Sequence, residues 1–440
     1  MNWSNLPDIA AVGLLVCAFA SMARRTPTPV SGMWLTGWMM ILLHFLSSFA
    51  RLAPGVWEAL ASVLTLSSLV WAGVLFQSAV LPFGSKHSSP WMRAILLTTN
   101  TLYISLPHFD RLPAWTLDVA ALSLGLGPLL VMLIFLRRFN HPLRQITVLL
   151  YCSLSLFLLF VQHRPNGADI AVNAVLFTVY AGCCINFSYV YRRATAGAFV
   201  TIAGFFTWAN VFTVAPLMGY FLPAAHVESE VWNLPKYLVA VGMILLLLEE
   251  QIAHNKYLAL HDELTGLANR RLFQDRLATA LERARRSGNR TALLLIDLDH
   301  FKNVNDSFGH HIGDLLLESV SKAFAGRVRR SDTVARTGGD EFAVILEEPV
   351  SRLDAEQVGC SLLQLLSKPI ELEGHSVSVG ASIGVALFPD DAMDVESLRI
   401  AADMAMYERK YASRATEEHH GPAAPRSLRA PQLINGAHTG

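Results

Sequence analysis

The 440-residue chain is poor in charge and poor in cysteine. Only 16% of its residues are Asp, Glu, Lys or Arg, against 52% hydrophobic, and a mean hydropathy of +0.38 excludes a wholly soluble protein. Neither sign of charge is in excess, with 35 Lys and Arg against 35 Asp and Glu, so there is no basic field to recruit nucleic acid. The five cysteines, Cys17, Cys152, Cys183, Cys184 and Cys360, lack metal-ligand spacing. Four of them lie in apolar runs, where cysteine acts as a small hydrophobe, and no disulfide framework is assigned.

In place of charge, the first half has a succession of apolar runs, about nine, each near the roughly 20 residues a helix needs to cross a bilayer. They cover 6–23, 33–50, 56–80, 91–106, 114–136, 145–161, 168–191, 197–222 and 234–248. Arg24 and Arg25 beyond the first run mark it as a span and not a cleaved leader. These two, then Lys86 and Arg93, Arg137, Arg138 and Arg144, and Arg192 and Arg193 occupy every second connection. The intervening connections hold mainly Arg51, Arg111 and Arg164, so the amino terminus is expected outside and the chain beyond Leu248 in the cytoplasm. Glu58, Asp118 and Asp169 then fall near the outer ends of their helices, joined by His108, Asp110, His163, His226, Glu228 and Glu230. This layer reads as interfacial side chains reaching water or as an extracytoplasmic ligand or metal site, though it has no His-x-x-His spacing. Asn100, Asn173, Asn186 and Asn210 are expected to hydrogen-bond between helices.

The second half is organised around Arg336-Thr337-Gly338-Gly339-Asp340-Glu341-Phe342. Strand-like runs at 332–336 and 342–346 flank a glycine pair, which suits a tight hairpin with positive φ. Two adjacent carboxylates follow, able to hold Mg²⁺ against a phosphate that approaches the bare glycine backbone. An ordinary acidic hairpin is the plain alternative for this turn taken alone. Before it, 249–261 reads as a short stalk helix whose stripe of Leu248, Ile252 and Tyr257 could pair with a second copy. The stretch 261–271 is a polar loop ending in Asn269, a cap for a helix that runs to Arg286 and stops at Gly288. The apolar run 292–297 reads as a central strand that closes on Asp297. A polar loop follows over 299–310, with Lys302 placed to meet phosphate, and Gly313-Asp314 opens a helix presenting Leu317, Val320, Phe324 and Val328 on one face.

Six motifs in order resemble the GGDEF domain of diguanylate cyclases. They are Asp-x-Leu-Thr-x-Leu-x-Asn-Arg-Arg from Asp262, Asp-x-Asp-x-Phe-Lys from Asp297, Asn-Asp-x-x-Gly-His-x-x-Gly-Asp from Asn305, the turn at Gly338, Ser-Ile-Gly-Val from Ser382, and Ala-Asp-x-Ala-x-Tyr ending at Tyr407. The resemblance implies a nucleotidyl-cyclase-like α/β fold with a central, mostly antiparallel sheet covered by helices. It implies condensation of two GTP into cyclic di-GMP and two pyrophosphates, with two Mg²⁺ per site, or Mn²⁺ in their place. It further implies that Asp297, Asp340 and the Leu298 carbonyl hold metal, with Glu341 reaching the second metal or the nucleophile. Gly338 and Gly339 belong to the catalytic turn, Lys302, Lys410 and Arg414 bind phosphates, and Asn305 and Asp314 read guanine. Arg329 and Asp332 match the family's inhibitory Arg-x-x-Asp site for the cyclic product. Ser413-Arg414-Ala415 and Thr337 depart from the family pattern without removing a group that the chemistry needs.

These readings divide the chain into a multi-span sensor region at 1–248, a stalk at 249–261, a GGDEF domain at 262–415 and a disordered tail at 416–440. The expected protein is a multi-pass enzyme of the bacterial inner membrane, a homodimer because each domain carries one GTP, with the lipid bilayer, GTP and cyclic di-GMP as partners and no nucleic acid. A catalytically silent receptor for GTP or cyclic di-GMP, and a transporter carrying a regulatory nucleotide domain, are the rival classes.

Overall fold

The structure, a computed structural model, describes residues 5–25, 28–49, 56–80, 88–108, 113, 115–134, 142–192, 195–222, 227, 229–347 and 350–419. It divides into two compact units, Met1–Gln251 and Ile252–Gly440. The first is helical, with α1 (Leu6–Arg25), α2 (Pro29–Phe49), α3 (Val56–Val80), α4 (Ser88–Ser105), α5 (Trp115–Ile134), α6 (Pro142–Val161), α7 (Gly167–Val190), α8 (Ala196–Phe221) and α9 (Ser229–Leu260). Among the described residues, seven helices are long and apolar enough to cross a membrane; α4 falls outside that set, and α6 contributes only the shorter apolar segment Gln145–Val161.

Aromatic residues fill the middle of this unit. Trp34, Trp38, Trp208, Tyr180, Phe76, Phe187 and Phe205 are all below 2% exposed, and Tyr180 stacks on Trp208 at 4.1 Å between centroids. Glycines let the backbones close: a Cβ on Gly204 would stand 2.8 Å from the Val239 nitrogen, bringing α8 against α9. Glu58, Asp118 and Asp169 each lie in the first turn of their helix. The asparagines behave differently from expectation. Asn100, Asn173 and Asn210 donate to carbonyls four residues back in their own helices, and only Asn186 reaches another, the Gln77 carbonyl. An amide N–H within reach of its own helix's carbonyls donates there, while the side-chain oxygen of Asn100 is left buried without a partner among the described residues.

The sequence reading passed over a buried polar cluster that joins the first helix to the last. The Asp8 carboxylate accepts from the Asn233 amide (2.7 Å) and the Tyr237 hydroxyl (2.6 Å), while Lys236 donates to the Asn233 carbonyl oxygen (2.5 Å) and lies 4.7 Å over the Phe45 ring. Buried charges persist where such partners exist. Glu249, the first charge after the apolar run, accepts from the Gly197 amide at the start of α8, where a helix amino terminus favours an anion.

The second unit is a three-layer sandwich. Its sheet has the order β2-β3-β1-β6, with β1 (Thr291–Asp299), β2 (Thr333–Arg336), β3 (Glu341–Leu346) and β6 (Gly380–Phe388) paired antiparallel throughout. A separate two-stranded ribbon pairs β4 (Ile370–Leu372) with β5 (His375–Val377). Strand alternation divides the core. Ala292, Leu294, Ile296 and Leu298 of β1 face α11 (Phe301–Phe308), α12 (His310–Arg327) and α13 (Arg352–Leu366). Leu293 and Leu295 face the opposite layer, α10 (Arg270–Ser287) and α14 (Val395–His419), so Asp297 shares that side. Three expectations need correction. The stretch expected as a polar loop over 299–310 contains α11, α12 begins three residues before Gly313, and α14 carries residues 416–419 of the expected tail, the rest of which lies outside the described residues. The stalk stretch 249–260 is the end of α9.

Two clasps order the start of this unit. Asn269 accepts from the Arg271 and Leu272 amides, capping α10, while its own amide donates to the Ala259 carbonyl at the end of α9. Asp262 accepts from Thr265 and from the Arg336 guanidinium (2.9 and 3.2 Å). Burial disfavours the Asp262 carboxylate, but the Thr265 hydrogen bonds and the Arg336 charge outweigh it and hold the carboxyl below the usual range. A depressed carboxyl stabilises the fold at neutral pH and loses that contribution as pH falls below about 4, through its folded-state value. The stability difference between the parent and Asp262→Asn should therefore be largest at pH 7 and shrink toward pH 3 in thermal unfolding scans. A difference constant across that range would show that the clasp is not ionic.

Candidate active site

The carboxylates meet at one end of the two central strands. In the β1–β3 ladder Asp297 stands opposite Glu341, and the next bond outward runs from the Leu298 amide to the Asp340 carbonyl at 3.1 Å. Directly opposed residues of an antiparallel pair share a face with Cβ atoms about 5 Å apart. The structure thus brings together Asp297, Leu298, Asp340 and Glu341, through residues separated by some forty positions in sequence.

The glycine pair works differently from the expectation of positive φ. Among the described residues the glycines at positive φ are Gly266, Gly288, Gly309 and Gly374, and neither Gly338 nor Gly339 is among them. What Gly338 supplies is room: a Cβ there would lie 2.7 Å from a Glu341 carboxylate oxygen. The turn's shape is held instead by Arg336, whose guanidinium donates twice to the Gly339 carbonyl (3.1 and 2.8 Å) while pairing with Asp262. The Thr337 amide donates to the Glu341 carbonyl at 2.9 Å. Arg336 and Asp262 are positioning residues whose partnership sequence spacing could not show, since 74 residues separate them.

Lys410 comes from the α14 layer. Its ammonium lies 2.5 Å from the Asp297 carboxylate, with the two side chains 28% and 18% exposed, partly shielded from solvent screening. A close approach of helix and sheet puts it there. A Cβ on Gly384 of β6 would collide with the Ala402 carbonyl and stand 2.5 Å from the Met406 amide, so only glycine lets α14 lie this low. Arg409 fixes the same turn by donating to the Ile383 carbonyl at 3.1 Å. The side chain of Arg414 lies outside the described residues.

Asn305 of α11 packs against Gly313 of α12, the residue before Asp314. The Asn305 amide oxygen occupies the space a Cβ on Gly313 would fill, next to Asp314 on the same helix. Lys302 is exposed on the first turn of α11, which starts two residues beyond the end of β1. No described bond joins these three to the carboxylates. Arg329 and Asp332 sit in the turn before β2, where the Asp332 carboxylate accepts from the Arg329 and Glu347 amides (2.9 and 3.3 Å). They stand at the opposite end of β2 from the signature turn, roughly 13 Å away at about 3.3 Å per residue.

The donor set suits a hard divalent cation: carboxylates and a backbone carbonyl, without thiolate or imidazole. Among the described residues, however, no three carboxylate, histidine or cysteine side chains gather into a cage. An ion here would take its remaining oxygens from substrate phosphate and water, the usual habit of Mg²⁺.

Residues 259–416 match the profile of the family described as "Diguanylate cyclase, GGDEF domain". The chain is 48% identical over 155 residues to the bifunctional diguanylate cyclase/cyclic di-GMP phosphodiesterase MucR of Pseudomonas aeruginosa, covering 35% of this chain and 22% of that protein. It is 39% identical over 191 residues to diguanylate cyclase TpbB of the same species, covering 43% and 44%. The solved GGDEF domain of P. aeruginosa PA1120 (TpbB or YfiN) is 42% identical, covering 34% of this chain and 89% of that one, with a TM-score of 0.34. The chain thus spans less than half the length of these curated relatives. The carboxylate-bearing second half of this chain is a GGDEF domain.

Proposed function

We propose that the protein is a membrane-bound diguanylate cyclase that joins two GTP into cyclic di-GMP and two pyrophosphates. The observation that carries this reading is the facing of Asp297 and Glu341 beside Asp340, in a turn whose shape Arg336 fixes. Relatives named diguanylate cyclase support it. Each 3′-hydroxyl attacks the α-phosphate of the partner GTP and displaces pyrophosphate, so two copies of the domain must face one another.

Asp297, Asp340 and the Leu298 carbonyl would hold Mg²⁺, with Glu341 beside them, and Mn²⁺ has the same donor preference. Bound there, the metal supplies charge neutralisation for the leaving pyrophosphate and acidifies the attacking hydroxyl. Lys410, paired with Asp297, is placed to exchange that partner for phosphate, and Lys302 and Arg414 add further positive charge. Asn305 and Asp314 would read guanine, whose ring N–H and amino group can both donate to an aspartate carboxylate. Asp297→Ala and Asp340→Ala should each abolish cyclic di-GMP formation from GTP and Mg²⁺ while circular dichroism stays unchanged; turnover by a folded Asp297→Ala protein would refute the assignment.

Arg329 and Asp332 form the product site in this reading, where a guanidinium can stack on guanine and fork to phosphate. Asp332 also caps its own turn, so Arg329 is the cleaner probe. Arg329→Ala should leave initial synthesis near the parent rate and raise the inhibitory product concentration roughly tenfold or more, for an interaction of about 1–3 kcal/mol. Superimposable inhibition curves would reduce the motif to a charged helix end.

The helical unit would set the orientation. An odd number of spans, with Arg-rich connections facing the cytoplasm, leaves the amino terminus outside and delivers the GGDEF domain to GTP. A cysteine placed at Val227 in a cysteine-free background should react with an impermeant maleimide from the periplasmic side of intact cells. Labelling only after the inner membrane is breached would reverse the topology.

A further inference from the structure

A cavity of about 910 Å³ opens among α6, α7 and α8, within the size range of small-molecule sites. The cyclase chemistry does not use it. Its walls follow the helix repeat: Asp169, Asn173 and Phe177 are spaced four apart on α7, and Phe212, Pro216 and Tyr220 four apart on α8. Tyr180 packs on Phe212 and Phe187 on Phe205, so the two helices run antiparallel, and Asp169 in the first turn of α7 shares one end with Tyr220 in the last turn of α8.

The wall carries the amides of Asn166 and Asn173, the hydroxyls of Ser153, Thr178, Thr213 and Tyr220, and one charge. Asp169 is the one charged residue on its wall, and no described group donates to its carboxylate. Asp118 at the start of α5 contrasts with it, accepting from Gln162 (2.5 Å) and His163 (2.8 Å). The Asn173 amide donates to the Asp169 main-chain carbonyl at 2.8 Å. Pro216 has no N–H to give the Phe212 carbonyl, which adds a second acceptor in the wall. The remaining surface includes the rings of Phe157, Phe177, Phe212 and Tyr220. The Asp169 carboxylate, the Phe212 carbonyl that Pro216 cannot bond and the aromatic faces, which present negative quadrupoles, together favour a cation with apolar substituents and disfavour an anionic lipid or a fatty acid.

We propose that this cavity binds a lipophilic organic cation, with its charged centre at Asp169 and Tyr220 and its apolar substituents against the rings of α6, α7 and α8. The site is independent of the cyclase reading, and its test reads binding directly. The full chain, held in nanodiscs of zwitterionic lipid, is dialysed to equilibrium against radiolabelled tetraphenylphosphonium and, separately, against the size-matched anion tetraphenylborate. Expected is saturable binding of the cation at one site per chain, weakened at least fivefold by Asp169→Asn and by Tyr220→Leu, with only linear partitioning of the anion. Equal affinities for the parent and a folded Asp169→Asn protein, saturable binding of the anion, or linear partitioning of both ions would overturn the proposal and leave the cavity a groove for bilayer chains. Because the cation–anion contrast is read on the parent protein, misfolding of either variant does not remove the test.

Discussion

Arg336 satisfies two distant pieces of backbone and side chain at once, and the site depends on it. Its guanidinium binds the Asp262 carboxylate on one edge and the Gly339 carbonyl on the other. A planar fork can do this in a fixed geometry, whereas a lysine ammonium could not hold both partners in plane. The turn that carries Asp340 and Glu341 is thereby tied to the segment that follows α9. Asn269 reinforces the tie by capping α10 while binding the last turn of α9. Of these bonds the Arg336–Asp262 pair is part-buried, while those from Asn269 to Ala259 and from Arg336 to Gly339 lie at the surface.

The two halves of the chain handle charge by different means. In the helical unit, Asp8, Asn233, Lys236 and Tyr237 neutralise one another in a closed network. In the GGDEF domain, charge is left available. Lys302 is exposed, Glu341 is exposed at the strand end, and Lys410 and Asp297 hold each other through a single contact. A closed network stabilises a buried arrangement. An incompletely satisfied cluster at the end of the central strands keeps the groups that the proposed reading assigns to phosphate and metal accessible. Asp169 follows the second pattern inside the first unit, which is why it stands apart from Asp118.

Much of this was legible in the residues. Long apolar runs favour helices because a helix satisfies its backbone hydrogen bonds within one segment, and the runs at 332–336 and 342–346 became β2 and β3 because they are β-branched, apolar and joined by a short turn. Asn269 and Gly288 marked the ends of α10 by local capping chemistry alone. The reading failed where a local signal had two solutions. The polar stretch after Asp299 looked like a loop, yet Phe301 and Val304 give α11 a buried edge against α12. The asparagines of the spans looked like bridges between helices, yet three of them turned back on their own helices. Lys236 and Asp8 were passed over because a single charge within a run of hydrophobic residues announces no partner.

By itself the sequence determined the division into an apolar half and an α/β half, the order of the motifs and the residue types available for phosphate chemistry, because these follow from composition, periodicity and turn residues. Tertiary structure alone decided which of those residues meet. The register of β1 on β3 set Asp297 against Glu341, and a shift of one residue would have turned Asp297 to the other face of the sheet. The missing side chain at Gly384 let α14 descend far enough for Lys410 to touch Asp297. Contacts of this kind join residues tens to hundreds of positions apart, and they exist only once the core between them is packed.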